Sequence, residues 1–216
     1  MLNFVRRQPS ALLLFAQLGA VLVYPFMEDS DAGRALFSVF GVLILGLVVL
    51  AVRSTPGLTW VAILLGLPAT LLLLIQAVTG DDALLPWSSG LEAVLYVYAA
   101  VALIFYMLED HVITRDELWA IGATFTLLAW AFAYMYTVVQ AVEPGSFTAA
   151  VDPSGDRTWT ELLFLSFTTL TSTGLSDVIP VKPFARSLVM IQQLLGLGYV
   201  AVLVSRLVGL TIARRI

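Results

Sequence analysis

The chain has no cysteine, which removes a disulfide framework and any thiolate metal site and leaves the redox compartment unread. It is also short of charge: Asp, Glu, Lys and Arg make up 12% of its 216 residues, against about 25% in an ordinary soluble domain. Histidine occurs once, so no histidine cluster exists, and neither GxSxG nor HExxH nor a pair of intramembrane carboxylates is present to carry the chemistry of a membrane enzyme. The lack of a convincing internal repeat and of a buried acid for proton coupling argues against secondary transport. No period of 20 to 50 residues suggests a solenoid, and no long Gly/Ser-rich or Pro-rich linker divides the chain. Only ten residues follow Arg206, so no nucleotide-binding or other regulatory cytoplasmic domain is expected. Nothing points to a nucleic-acid partner, a small-molecule regulator or a cofactor.

What the chain has instead is apolar length. It is 60% hydrophobic with a mean hydropathy of +0.95, and a membrane-spanning helix needs about 20 mostly apolar residues. Six helices are expected, at 10–27, 34–52, 58–79, 90–108, 115–139 and 184–207. The start, MLNFVRRQPSALLLF, has a charged head and an apolar run but no small-residue cleavage site before the acidic turn at EDSD, so it is taken as the first span. A cytoplasmic N-terminus places Arg6, Arg7, Arg53, Arg115, Arg206, Arg214 and Arg215 inside and leaves Arg34, Arg157, Lys182 and Arg186 outside. Seven against four follows the positive-inside rule and puts both termini in the cytoplasm of a cell (inner) membrane protein. Most acidic residues, from Glu28 and Asp29 to Asp177, then fall outside, where they would concentrate cations. Trp60, Trp87, Trp119 and Trp159 fall near span ends, as interfacial anchors do.

One segment cannot span. After the polar loop EPGSFTAAVDPSGDRTW, residues 143–159, the stretch TWTELLFLSFTTL at 158–170 has helical character but is too short to cross a bilayer, so it must enter and return. The following TSTGLSDVIP is rich in hydroxyls and glycine and ends at a proline, which predicts irregular backbone. Such backbone at membrane depth is tolerated only inside protein or along a water-filled cavity. A short helix entering from outside aims its carbonyl end, with roughly half a unit of negative charge, at the membrane centre. Carbonyl and hydroxyl oxygens beyond it are the hard, neutral ligands that can replace the water around an alkali ion. The competing reading is that these hydroxyls merely satisfy the backbone of a re-entrant turn.

In its order of outer helix, loop, short helix, filter, Asp and glycine-bearing inner helix, the region from about 115 to 210 resembles the pore module of tetrameric potassium channels. TTLTSTGLSDVIPVKPFAR, residues 168–186, lies over that family's TTLTTVGYGD and its proline-bearing exit. At TSTGLS the chain is also similar to the pore loops of Trk and Ktr potassium uptake proteins, which keep one filter glycine per loop. The resemblance implies a filter at Thr171, Ser172, Thr173, Gly174, Leu175 and Ser176 with potassium, or another monovalent cation, as the permeant ion. Asp177 would stand at the outer mouth. Against TVGYG the chain carries Ser172, Thr173, Gly174, Leu175 and Ser176, losing the bracing aromatic and the second glycine. If the last position needs a positive φ, Ser176 costs roughly 1–2 kcal/mol there. One loop cannot encircle an ion, so the resemblance implies a homotetramer in the lipid bilayer.

The expected fold is an all-α membrane protein of six spans, with a re-entrant helix and filter between the fifth and sixth. Residues 1–110 form a four-helix region and 111–216 the pore domain. The 90–108 segment holds no arginine, so an arginine voltage sensor is not expected. Gln17 and Gln76 are read as interhelical hydrogen-bonding residues and Pro68 as a kink. Gly196 and Gly198 serve either as a gating hinge or as seats for close packing. Gln192 and Gln193 point about 100° apart, so at most one faces a cavity squarely and the other bonds behind the filter. His111 is read as a linker residue ahead of a pH sensor. Lys182 is expected to oppose cation entry unless Asp177 or Glu161 neutralises it. The alternatives are a weakly selective sodium and potassium channel, and a channel-like membrane protein with little or no conduction.

Overall fold

A computed structural model of the chain describes residues 8–24, 31–53, 55, 57–80, 82–109 and 114–213, with the backbone alone at 31–38, 82 and 210–213. Arg6, Arg7, Arg214, Arg215, Glu28, Asp29 and His111 lie outside the described residues, as does the side chain of Arg34. The helices are α1 Pro9–Val23, α2 Asp31–Arg53, α3 Thr59–Thr79, α4 Leu85–Leu108, α5 Arg115–Val142, α6 Trp159–Leu170 and α7 Pro183–Ala213. Two short strands, β1 Phe147–Thr148 and β2 Ile179–Pro180, flank α6.

Local sequence sets several boundaries. Proline in the first turn suits α1 and α4, because its fixed φ matches the helix and no intrahelical donor is lost. That turn starts α4 at Leu85 rather than 90, after a 3₁₀ turn at Asp82–Leu84. Gly80 closes α3 at φ 65° and donates to the Gln76 carbonyl at 2.8 Å, the left-handed cap that glycine adopts without a Cβ penalty. Pro68 sits inside α3, which remains helical through Thr79.

By length and composition four helices are able to cross a membrane: α3, α4, α5 and the Pro183–Gly209 part of α7. The apolar stretches Pro9–Val23 and Val39–Arg53 are shorter. These apolar helices support an integral membrane protein.

The chain forms two compact units, Met1–Leu128 and Ala129–Ile216, and the division falls within α5. In the first unit α2 packs on α1, α3 and α4, and α3 on α4, around buried Leu13, Ile44, Leu45, Val48, Leu95 and Leu103. The start of α1 is tied to the start of α5, where Asp116 accepts from the Ser10 N–H at 3.1 Å and the Ser10 hydroxyl at 2.9 Å. Gln76 makes the expected interhelical bond, accepting from the Ser88 hydroxyl at 3.2 Å. Gln17 is fully buried but has no hydrogen-bond partner among the described residues.

The second unit packs the rest of α5, both strands, α6 and α7 around Phe132, Tyr136, Val139, Phe147, Leu162, Leu165, Val178 and Val189. Among the described residues the fold is all-helical apart from one small ribbon: β1 and β2 pair antiparallel, with Phe147 opposite Pro180 and Thr148 opposite Ile179. The ribbon clips the loop after α5 to the segment leaving the candidate filter. The Trp159 ring packs edge-on to Trp130 at 5.1 Å and against Tyr134 at 5.6 Å. Trp60 and Trp87 are exposed, as anchors should be.

Candidate functional site

The short helix α6 is fixed at its start by a polar clamp. Thr158 and Glu161 form a capping box: the Glu161 N–H donates to the Thr158 hydroxyl at 3.3 Å and the Thr158 N–H to the Glu161 carboxylate at 2.7 Å. Gln140 of α5 brackets the residue just before, accepting from the Arg157 N–H at 2.9 Å and donating to the Arg157 carbonyl at 3.0 Å. The Arg157 guanidinium is buried, donates to the carbonyls of Val151, Asp152 and Gly155, and meets the Glu161 carboxylate at 3.2 Å. A buried charge needs this many partners to offset its lost hydration.

A second polar knot sits midway along α6. The Ser166 hydroxyl donates to the Ala129 carbonyl of α5 at 2.6 Å. Gln192 of α7, fully buried, donates from Nε2 to the Ser166 hydroxyl at 2.6 Å and to the Ser166 carbonyl at 3.1 Å. Its Oε1 accepts from the Tyr136 hydroxyl. Gln193 next to it is exposed, so of the adjacent pair Gln192 is the one turned toward the short helix. Gly196 lies where an added Cβ would come within 2.1 Å of the Leu170 carbonyl oxygen, so it is a seat for close approach of α7 to the end of α6; around Gly198 the same construction meets nothing within 4 Å.

The candidate filter leaves the carbonyl end of α6 as a tight turn over the Thr168 carbonyl. That oxygen accepts from the N–H groups of Thr173 at 3.0 Å and Gly174 at 3.1 Å and from the Thr173 hydroxyl at 3.2 Å. The Thr171 hydroxyl donates to the Phe167 carbonyl at 2.8 Å and lies 3.0 Å from the Thr173 hydroxyl. Part of the hydroxyl cluster thus satisfies its own backbone, the competing use of such residues. The carbonyls from Thr171 to Leu175 accept no hydrogen bond among the described residues, and residues 171–175 are all exposed in the single chain.

Gly174 has φ 64°, the conformation for which glycine is suited. The strained side-chain-bearing position in this turn is Ser172, at φ 58°, and not Ser176. Ser176 has no need of the second glycine's freedom because its φ is not positive, and its hydroxyl accepts from the Val178 N–H at 3.1 Å, turning the exit locally. Leu175 is 76% exposed. Asp177 is exposed beside the turn.

Lys182 and Arg186, near the candidate filter in sequence, each find a partner. Lys182 lies 3.6 Å from Glu143, while Glu161 is engaged by Arg157, so neither Asp177 nor Glu161 is the partner of Lys182. Arg186 donates to the Pro180 carbonyl at 3.1 Å and steadies the exit. Gln140, Tyr136, Ser166 and Arg157 escaped the sequence reading. The signal available for the first three was a polar side chain at helical spacing inside an apolar run.

A family model described as "Ion channel" matches residues 123–212, which take in most of α5, the clamp, α6, the turn, the ribbon and all but the end of α7. No curated protein and no solved structure gives a match. The matched segment and the apolar helices together support an ion channel embedded in a membrane.

Proposed function

We propose that the chain is a homotetrameric, potassium-conducting channel whose filter is built from Thr171, Ser172, Thr173, Gly174, Leu175 and Ser176, with Asp177 drawing cations to the outer mouth. The observation that carries this reading is the row of carbonyls at 171–175 that accept no hydrogen bond among the described residues, in exposed residues at the negative end of a twelve-residue helix inside the segment that matches an ion channel. Neutral oxygens at that point replace hydration water around an alkali ion without holding it as tightly as carboxylates would, and the helix end adds a cation-favouring field.

Each chain contributes a single such turn, so closed cyclic symmetry supplies the rest of the ring. The inner helix α7 suits that assembly: Met190, Ile191, Leu194, Leu195, Leu197 and Val200 are all exposed in the single chain, and a helix apolar on most sides belongs in lipid or against other helices. Six spans, a division near residue 110, cytoplasmic termini and a place in the cell (inner) membrane complete the arrangement. The α4 segment holds no arginine or lysine, so voltage does not act through it as through an arginine-bearing sensor. Gating by bending at Gly196 and Gly198 must open the contact between Gly196 and the Leu170 carbonyl.

The test is Gly174→Ala in purified protein reconstituted into liposomes. The φ of 64° makes any side chain strained there, so cation flux should fall to background while the oligomer stays assembled. Flux equal to wild type removes these residues as the filter. A second reading, a weakly selective sodium and potassium channel, draws on the exposed Leu175 and the strained Ser172, which leave the turn without an aromatic brace. The permeability ratio of the two ions separates the readings.

A further inference from the structure

Gln192 is an amide on a predominantly apolar helix, it is fully buried, and both ends of the amide are engaged: Oε1 by α5 and Nε2 by α6. Burying an amide without such partners costs several kcal/mol, and leucine would fill similar space without that cost. Hydrogen bonds do what leucine cannot: they fix direction and register, whereas apolar contact tolerates sliding.

Two contacts define that register. Gln192 meets Ser166, and four residues on, Gly196 meets the carbonyl of Leu170, itself four residues beyond Ser166. Four residues are about one helical turn, so two points one turn apart on α7 hold two points one turn apart on α6, with the helices running in the same direction. The outer end of this chain of contacts is Tyr136 and Ala129 on α5. The inner end is Leu170, next to the turn whose carbonyls accept no hydrogen bond among the described residues. Leu175 gives that turn no brace of its own, because its side chain stands out from the protein.

We infer that Gln192 is a positioning residue for ion selection: held by Tyr136, it fixes through Ser166 the register of the short helix on the inner helix, and so the spacing of the filter oxygens at 171–176. This rests on the channel reading above and adds to it where selectivity is set, behind the helix and not beside the filter.

The experiment compares full-length wild type, Gln192→Leu, Tyr136→Phe and the control Val78→Ala, at an exposed position of α3, in liposomes, measuring the potassium-to-sodium permeability ratio alongside oligomer size. Loss of a buried hydrogen-bond partner predicts a fall in the ratio of roughly fivefold or more in Gln192→Leu and Tyr136→Phe, with assembly intact and the control at the wild-type ratio. The double variant should fall no further than Gln192→Leu alone, since both act through one knot. Should Gln192→Leu fail to assemble, Tyr136→Phe, which removes one hydroxyl, decides the matter. A wild-type ratio in the variants overturns the positioning role, and so does a loss of yield or stability with the ratio unchanged. Wild-type protein that passes no cation, or passes sodium and potassium alike, overturns the potassium-channel reading itself and this inference with it.

Discussion

Gly174 and Gly196 are both glycines near the turn after α6, and they are glycine for different reasons. Gly174 needs a positive φ, with open space where a side chain would go. Gly196 has ordinary helical backbone but faces a carbonyl oxygen that a Cβ would overlap. Gly196→Ala should therefore push α7 from the end of α6 and destabilise the protein by about 1–3 kcal/mol, the usual range for overpacking. Thermal unfolding in detergent micelles checks this, and Gly198→Ala, with nothing within 4 Å, should leave the midpoint unlowered or raise it slightly, as removal of a helix-interior glycine does. The first glycine was legible from the sequence because a lone glycine among hydroxyls marks a backbone turn. The strain at Ser172 was not, since it depends on how the Thr168 carbonyl gathers the N–H groups of Thr173 and Gly174.

At the scale of elements, α6 was readable as a short helix: 158–170 is apolar but shorter than a membrane-spanning helix needs, and it forms Trp159–Leu170. Thr158 and Glu161 carry the capping box in plain view. What surrounds them was not readable. Arg157 looked like one more outside cation, yet it is buried and gathers three carbonyls and a carboxylate. Replacing it with methionine keeps most of the apolar bulk and leaves those carbonyls without their donor. Arg157→Met should lower stability by roughly 2–3 kcal/mol and raise amide hydrogen exchange in the first turn of α6, with exchange in α3 unchanged. Equal protection of that turn in wild type and Arg157→Met would mean the clamp does not hold the helix. The ribbon of β1 and β2 and the pairing of Lys182 with Glu143 were hidden for the same reason: their partners are more than thirty residues away in the chain.

For the whole molecule, the apolar composition and the positions of α1 to α7 were largely legible, because hydrophobic run length is a strong signal in a chain of this kind. The number of copies was not, since symmetry leaves no mark on a single sequence beyond the incompleteness of its site. That incompleteness is the central claim of the proposal: the carbonyls of 171–175, which accept no hydrogen bond among the described residues, become a cation site only when copies share an axis. The most direct measurement is anomalous diffraction from crystals of the full chain grown with rubidium or thallium. The account predicts peaks on a fourfold axis within coordinating distance of the carbonyls of Ser172 to Leu175. Residues 171–176 facing lipid or packed protein, in a monomer, a dimer or any assembly without an axial peak, would contradict it.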